Sequence, residues 1–237
     1  MIFQQCDEYE YLLLFDLDGT LLDTARQIEI CMNQVRLDFG HGVLMPKDYL
    51  RLIGQPIDQF LLDLNLCFDE KEQMINKFRL NLRGEIAKNG VKCFDGVIDI
   101  FNLLESLRIS VAVATTKPTE LAKHTINHSN LRYFKIHIQG TDNFLPKPSP
   151  TVINRILDEL KPRHALMVGD RIEDMKAASS AGLNSIGIAA GAHKEEDLRS
   201  AGANLLFPDF LGLSRFASRD SDGFKGYFSK LNLTFNN

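Results

Sequence analysis

Short apolar runs with abrupt polar ends recur along this chain, at 12–15, 111–114, 136–138, 165–168 and 185–188. Runs of this length, separated by helix-like stretches, predict strands buried on both faces, as in a parallel sheet covered by helices. The intervening helices are legible. Ile98, Phe101, Leu104 and Leu107 form one stripe, and Met175, Ala178 and Ala181 form another that stops at Gly182. Right-handed strand-helix-strand crossovers then lay the strands parallel, giving an α/β, Rossmann-like core.

One region breaks the alternation. Between about residues 24 and 92 no buried strand is evident, while apolar residues recur at helical spacing: Ile28, Cys31, Val35; Ile57, Phe60, Leu61, Leu64; Met74, Ile75, Phe78, Leu82. Pro46 and Pro56 punctuate the region and Asn89-Gly90 ends it. The pattern predicts an all-helical domain at 23–92, inserted after the first strand of an α/β domain formed by 1–22 and 93–237. Past Leu213 the chain turns polar, and its pattern leaves a packed element and a frayed end both open.

A length of 237 residues with 44% hydrophobic and 24% charged content suits a core that folds without disulfides. The formal charge of -4 offers no field for nucleic acid and no basic run for a membrane surface, so the expected partner is a small molecule. Cys6, Cys31, Cys67 and Cys93 form no CxxC pair, and Asp7, Glu8 and Glu10 precede the first apolar run, which speaks against a signal peptide. No apolar segment approaches the roughly 20 residues a membrane helix needs. A cytoplasmic protein, monomeric or homodimeric, is expected. The Asn-x-Ser/Thr triplets at Asn127 and Asn232 read as chance occurrences.

The densest chemical signal is Asp16-Leu17-Asp18-Gly19-Thr20, directly after the first strand. Open α/β sheets bind ligands in the crevice at the carboxyl ends of their strands, where these acids would fall. Two crowded carboxylates resist joint ionisation, and a hard divalent cation is a natural compensation. Asp-Gly is also an ordinary turn dipeptide, so the pair alone leaves both readings open.

Three further strand ends add to it. The second strand runs into Thr115-Thr116-Lys117-Pro118, with hydroxyls placed to bind phosphoryl oxygens or to cap a helix. Lys147, fenced by Pro146 and Pro148, could neutralise a phosphoryl group in transfer. Gly169-Asp170 follows another buried strand, and Asp174 lies one turn later, where it could also cap the helix.

These four elements, in this order, strongly resemble the haloacid dehalogenase superfamily of hydrolases, in its phosphoglycolate-phosphatase-like branch. The resemblance covers most of residues 11–213, and the stretch 177–182 is also similar. It implies a Mg²⁺-dependent phosphatase acting on a small phosphorylated metabolite, with Asp16 as nucleophile and Asp18 as proton-transfer residue. It further implies that Thr115, Thr116 and Lys147 bind the phosphoryl group. Asp16, Asp18 (through its backbone carbonyl) and Asp170 would ligate the metal, supported by Asp174 and Gly19. The helical insertion would be a cap that closes over the site, and Arg51, in the segment Arg51-Leu52-Ile53-Gly54-Gln55-Pro56, would contact substrate as an anion-binding residue.

Asp18 argues against a dehalogenase proper, which needs no second acid there. A phosphomutase of the β-phosphoglucomutase type keeps all four motifs and remains an alternative, as does a non-catalytic binding protein on the same scaffold. Arg171, which departs from the small polar residue many relatives carry after Gly-Asp, is expected to point to solvent. His124 and His128 stand at the spacing of a helical zinc pair, but two ligands are too few and a solvated helix face is the better expectation.

Overall fold

A computed structural model describes residues 10–45, 52–191, 193–219 and 226. Its centre is a six-stranded parallel sheet formed by β1 (Tyr11–Phe15), β4 (Ser110–Thr115), β5 (His137–Gly140), β6 (His164–Gly169), β7 (Asn184–Ile188) and β8 (Leu205–Phe207). The spatial order is β5-β4-β1-β6-β7-β8. The chain therefore steps outward from β1 in both directions, and the reversal beside β1 opens a crevice at the carboxyl ends of the strands. All five expected strands are present, while the short β8 was not foreseen.

Strand β1 shows why its apolar run is unbroken. Leu13 and Phe15 face one layer, with Phe101 of α3 (Val97–Ser106) and Phe210 of α8 (Phe210–Arg219). Leu12 and Leu14 face the other, against Val152 and Ile156 of α5 (Thr151–Leu160) and Ala177 and Ala178 of α6 (Ile172–Ser180). Both faces are fully covered, and each such side chain contributes roughly 1.5–3 kcal/mol on burial. The question left open past Leu213 resolves in part: α8 buries Phe210, Leu213 and Ala217, so the polar residues among them occupy its outer face. Beyond Arg219 the chain lies outside the described residues apart from Gly226.

Between β1 and β4 the chain forms α1 (Ala25–Asp38), a 3₁₀ turn at Ile57–Leu61 and α2 (Phe68–Asn89). The helical stripes follow the expected spacing: Ile28, Cys31 and Val35 on α1 and Met74, Phe78 and Leu82 on α2 are buried, Ile75 is half-buried, and Ile86 extends the second stripe by one turn. Unforeseen at the root of this segment is a short antiparallel pair, β2 (Leu22–Asp23) with β3 (Lys92–Cys93), which holds its two ends together. After β4, α4 (Thr119–Asn127) returns beneath α2, and α7 (Glu195–Ser200) lies between β7 and β8. No helix among the described residues is long and apolar enough to cross a membrane.

Arg36 braces this helical segment. Its side chain is 3% exposed and makes a two-pronged ion pair with Asp63 at 2.8 and 2.6 Å. The same guanidinium donates to the carbonyls of Gly42 and Phe60. Asp63 is held below the usual carboxylate range, chiefly by the hydrogen bonds from Arg36. Replacing Arg36 with Met leaves two carbonyls short of a donor, so Arg36→Met should lower unfolding stability by about 2 kcal/mol. Urea denaturation checks this, and a midpoint matching the parent would remove Arg36 from the account.

Candidate active site

Each site residue hangs from a strand end. The Asp16 amide donates to Val168 O at 3.0 Å, continuing the β1–β6 pairing one step past the strand and fixing Asp16 beside the Gly169-Asp170 turn. Lys147 arrives from the loop after β5. Its ammonium donates to Asp16 Oδ1 at 2.6 Å, Asp174 Oδ1 at 2.5 Å and the Ala114 carbonyl of β4 at 2.9 Å. Thr20 donates to Asp170 Oδ1 at 2.6 Å. The left-handed backbone at Gly19 (φ 87°) turns the chain so that this contact forms, and a Cβ at that position would stand 3.3 Å from Asp170 Oδ2.

The electrostatics follow from burial. Desolvation pushes the Asp16 carboxyl up to about 7; Lys147 pulls against this, while Asp174 and Asp18 add to it. Asp174 is raised for the same leading reason, with the charge of Asp170 adding to burial and Lys147 opposing it. Burial would by itself lower Lys147, but Asp16 and Asp174 outweigh it and hold the ammonium above its ordinary range. A single ammonium thus faces three buried carboxylates.

That imbalance tests whether a cation fits. Asp16, Asp170 and Asp174 each offer an oxygen within 4.8 Å of the others. Asp16 Oδ2 is buried without a hydrogen-bond partner. An uncompensated carboxylate oxygen in the interior is costly, and a hard divalent ion is the partner its chemistry suits. Asp174 is already engaged on both oxygens, Oδ1 by Lys147 and Oδ2 by the Arg171 amide at 3.1 Å. Asp16 and Asp170 are therefore the better candidate ligands, with Asp174 steadying Lys147.

Asp18 stands outside this acidic group. Its Oδ1 accepts from Lys117 Nζ at 2.7 Å and from Thr24 Oγ1 at 2.6 Å, all three residues being buried. In sequence Lys117 stands out only as a member of its motif, and Thr24 carries no signal of a role at the site. The signal available for Lys117 was its place directly after a strand-ending threonine pair. Thr115 accepts from the Lys117 amide at 3.2 Å, and Thr116 donates to Gly54 O at 2.8 Å, tying β4 to the helical segment. Arg51 lies outside the described residues.

Arg171 does not point to solvent. It is 4% exposed, donates to Ile53 O, and pairs with Glu173 at 3.2 Å. Glu173 in turn accepts from Gln55 at 2.7 Å. Gly54 takes φ 80° under this arginine, and a Cβ there would come within 2.8 Å of Arg171 Cδ. The reason for the misjudgement is plain: in sequence nothing indicates that the backbone at 53–55 passes over the β6 turn. His124 and His128 are only partly exposed and engage backbone carbonyls of Arg83 and His124, respectively.

A cavity of about 420 Å³ opens between the sheet's carboxyl end and the helical segment. It reaches Asp18, Thr116 and Lys117, while Asp16, Lys147 and Asp170 are buried and do not line it.

Residues 13–188 match the family model for haloacid dehalogenase-like hydrolases. A phosphoglycolate phosphatase of Rhodobacter capsulatus is 31% identical over 176 residues, covering 72% of this chain and 80% of its own. Among solved structures, a haloacid dehalogenase-like hydrolase of Streptococcus pneumoniae superposes with a TM-score of 0.77 at 22% identity, over 87% of this chain and 97% of its own. CbbY from Rhodobacter sphaeroides, in complex with phosphate, gives 0.74 at 24% identity, over 86% and 96%. The chain belongs to the haloacid dehalogenase-like hydrolases and is an enzyme of that family.

Arg171→Met should free the segment 53–55 of one anchor while sparing the sheet. Amide hydrogen exchange at Gly54 and Gln55 is expected to rise by about tenfold or more, and exchange in β1 and β4 to stay as it was. Unchanged protection at 54–55 would show that the Thr116 and Glu173 contacts hold this segment without Arg171.

Proposed function

We propose that this haloacid dehalogenase-like hydrolase is a Mg²⁺-dependent phosphatase of small phosphate monoesters, working through a phosphoryl-aspartate on Asp16. The observation that carries the reading is the buried Asp16 carboxylate, one oxygen held by Lys147 and the other left without a partner. The name of the Rhodobacter capsulatus relative supports a phosphate monoester as substrate.

An oxygen of Asp16 bonds to phosphorus as the ester P–O bond breaks, and the departing alcohol oxygen takes a proton from Asp18. Water then attacks phosphorus and gives its proton to Asp18; the bond to Asp16 breaks and inorganic phosphate leaves. Splitting one displacement into two lowers each barrier. A carboxylate approaching an anionic phosphoryl group meets repulsion, which the ammonium of Lys147 reduces at the point of attack. Lys117 and Thr24 hold the Asp18 carboxylate in one orientation, so its proton is delivered from a defined position. Asp16 and Asp170, with the Asp18 carbonyl, would hold Mg²⁺, which when bound supplies further charge neutralisation. Residues 23–92 act as a cap over the core formed by 1–22 and 93–237, with the β2–β3 pair as its neck, and keep bulk water from the reaction. Thiols Cys31, Cys67 and Cys93 are free, which accords with a cytoplasmic setting.

Phosphate release from a panel of esters tests this. Asp16→Asn should reduce turnover by on the order of 10³-fold or more, and Asp18→Asn by about 10²- to 10⁴-fold. EDTA should abolish turnover and added Mg²⁺ restore it. Mg²⁺ should also raise the melting temperature of the native chain, and raise it less in Asp170→Asn. Turnover that survives chelation or Asp16→Asn refutes the mechanism, and an isomerised sugar phosphate in place of free phosphate redirects it to a mutase.

A further inference from the structure

The cavity beside Asp18 has a charge inventory that does not close. Most of its wall is apolar, with Ile28 of α1, Ile57 and Phe60 of the 3₁₀ turn, and Ile75, Phe78 and Leu82 of α2. Four charged side chains reach it. Asp18 and Lys117 neutralise each other at 2.7 Å, and Asp58 lies 3.6 Å from Lys71. The fourth is Arg79 of α2. Among the described residues no ion pair involves it, and its Nε is buried without a hydrogen-bond acceptor. Arg79 is itself half-buried, and an arginine with one buried donor lacking an acceptor, on the wall of a mainly apolar cavity, is placed to bind an anion that enters it. At about 420 Å³ the cavity falls within the roughly 300–1,000 Å³ of sites that enclose whole small-molecule ligands.

We propose that Arg79 determines specificity by binding a second acid group, a carboxylate or a phosphate, carried on the apolar skeleton of the phosphate ester. This rests on the phosphatase reading above and adds the class of substrate. The ester enters with its phosphoryl end past Asp18 and Thr116 and its carbon skeleton between α1 and α2. The second anion meets the guanidinium, which favours bidentate oxygen acceptors. Substrates lacking that anion leave Arg79 unsatisfied and are selected against, because an unpaired buried polar group in the complex discriminates more sharply than lost apolar contact.

Three esters on one ring framework test the proposal: phenyl phosphate, 4-carboxyphenyl phosphate and 1,4-phenylene bisphosphate. In the parent enzyme kcat/KM should favour an acid-bearing ester over phenyl phosphate by about 10- to 100-fold, the range set by one charge-assisted hydrogen-bonded pair. The acid with the larger preference identifies the group. In Arg79→Met this preference should collapse to within about threefold, and Arg79→Lys should recover part of it. Calorimetric titration of Asp16→Asn with the three esters reads the same preference without turnover, and melting curves confirm that each variant is folded. Phenyl phosphate hydrolysed as well as both acid-bearing esters, or a preference that survives Arg79→Met, overturns the role of Arg79 and leaves the phosphatase standing. A calorimetric preference lost with Arg79, in a parent that releases phosphate from none of the three, supports Arg79 while the phosphatase reading fails.

Discussion

The site depends on one ammonium in a dry interior. Lys147 reaches across from the loop after β5 to contact Asp16, Asp174 and the Ala114 carbonyl, so it joins β1, β4 and the start of α6 at a single point. Three carboxylates could not be packed here without it, since each buried anion raises the free energy of the next. Lys147 does not neutralise the group fully. The residual negative charge and the open oxygen of Asp16 are what remain for a cation and a reacting phosphoryl group. The same burial that makes the cluster unfavourable in isolation makes each contact stronger, because little water is present to screen it. Folding stability is thus spent at the one place where chemistry needs preorganised charge, and the fully covered sheet beneath supplies the surplus.

Much of this was legible from the chain. The runs at 12–15, 111–114 and 165–168 are apolar without alternation because both faces of β1, β4 and β6 are covered, and that pattern reports depth directly. Acids placed immediately after such runs must fall at the strand ends, so Asp16 and Asp170 were readable by position. The convergence of Lys147 was less so: its flanking prolines suggest a stiffened cation, but a lysine between prolines has no periodicity, and nothing local says which strand ends it meets. Short elements escaped altogether. β2, β3 and β8 have two or three residues each, too few for any period to show, and their pairing is decided by tertiary packing.

Charged side chains were misread, as Arg171 was, or passed over, as Lys117 was, where their partners are distant in sequence. Lys117 and Asp18 are separated by 99 positions, and Arg171 and Ile53 by 118. In composition each of these cations looks like surface charge, since lysine and arginine are seldom fully buried unless paired. Pairing is a property of the fold, and no local pattern encodes it. Arg36 repeats the lesson within the helical segment, where its acceptors at Gly42, Phe60 and Asp63 come from two other parts of the chain.

Arg171 carries the further consequence that aiming the acid and anchoring the helical segment are one backbone event. Asp170 and Arg171 are consecutive, so the turn after β6 that directs Asp170 toward Thr20 and Asp16 also directs the guanidinium toward Ile53. Thr116, at the end of β4, grips the neighbouring Gly54 carbonyl from the other side. The segment 53–55 is therefore held by two strand ends that also bear, or adjoin, the chemically active residues. A displacement of either turn would shift the roof of the cavity together with its floor, because side chains this buried leave little room for independent adjustment. Selection by the helical segment and chemistry at the sheet are then not separable layers: the walls that choose the ester are positioned by the same loops that hold the reacting groups.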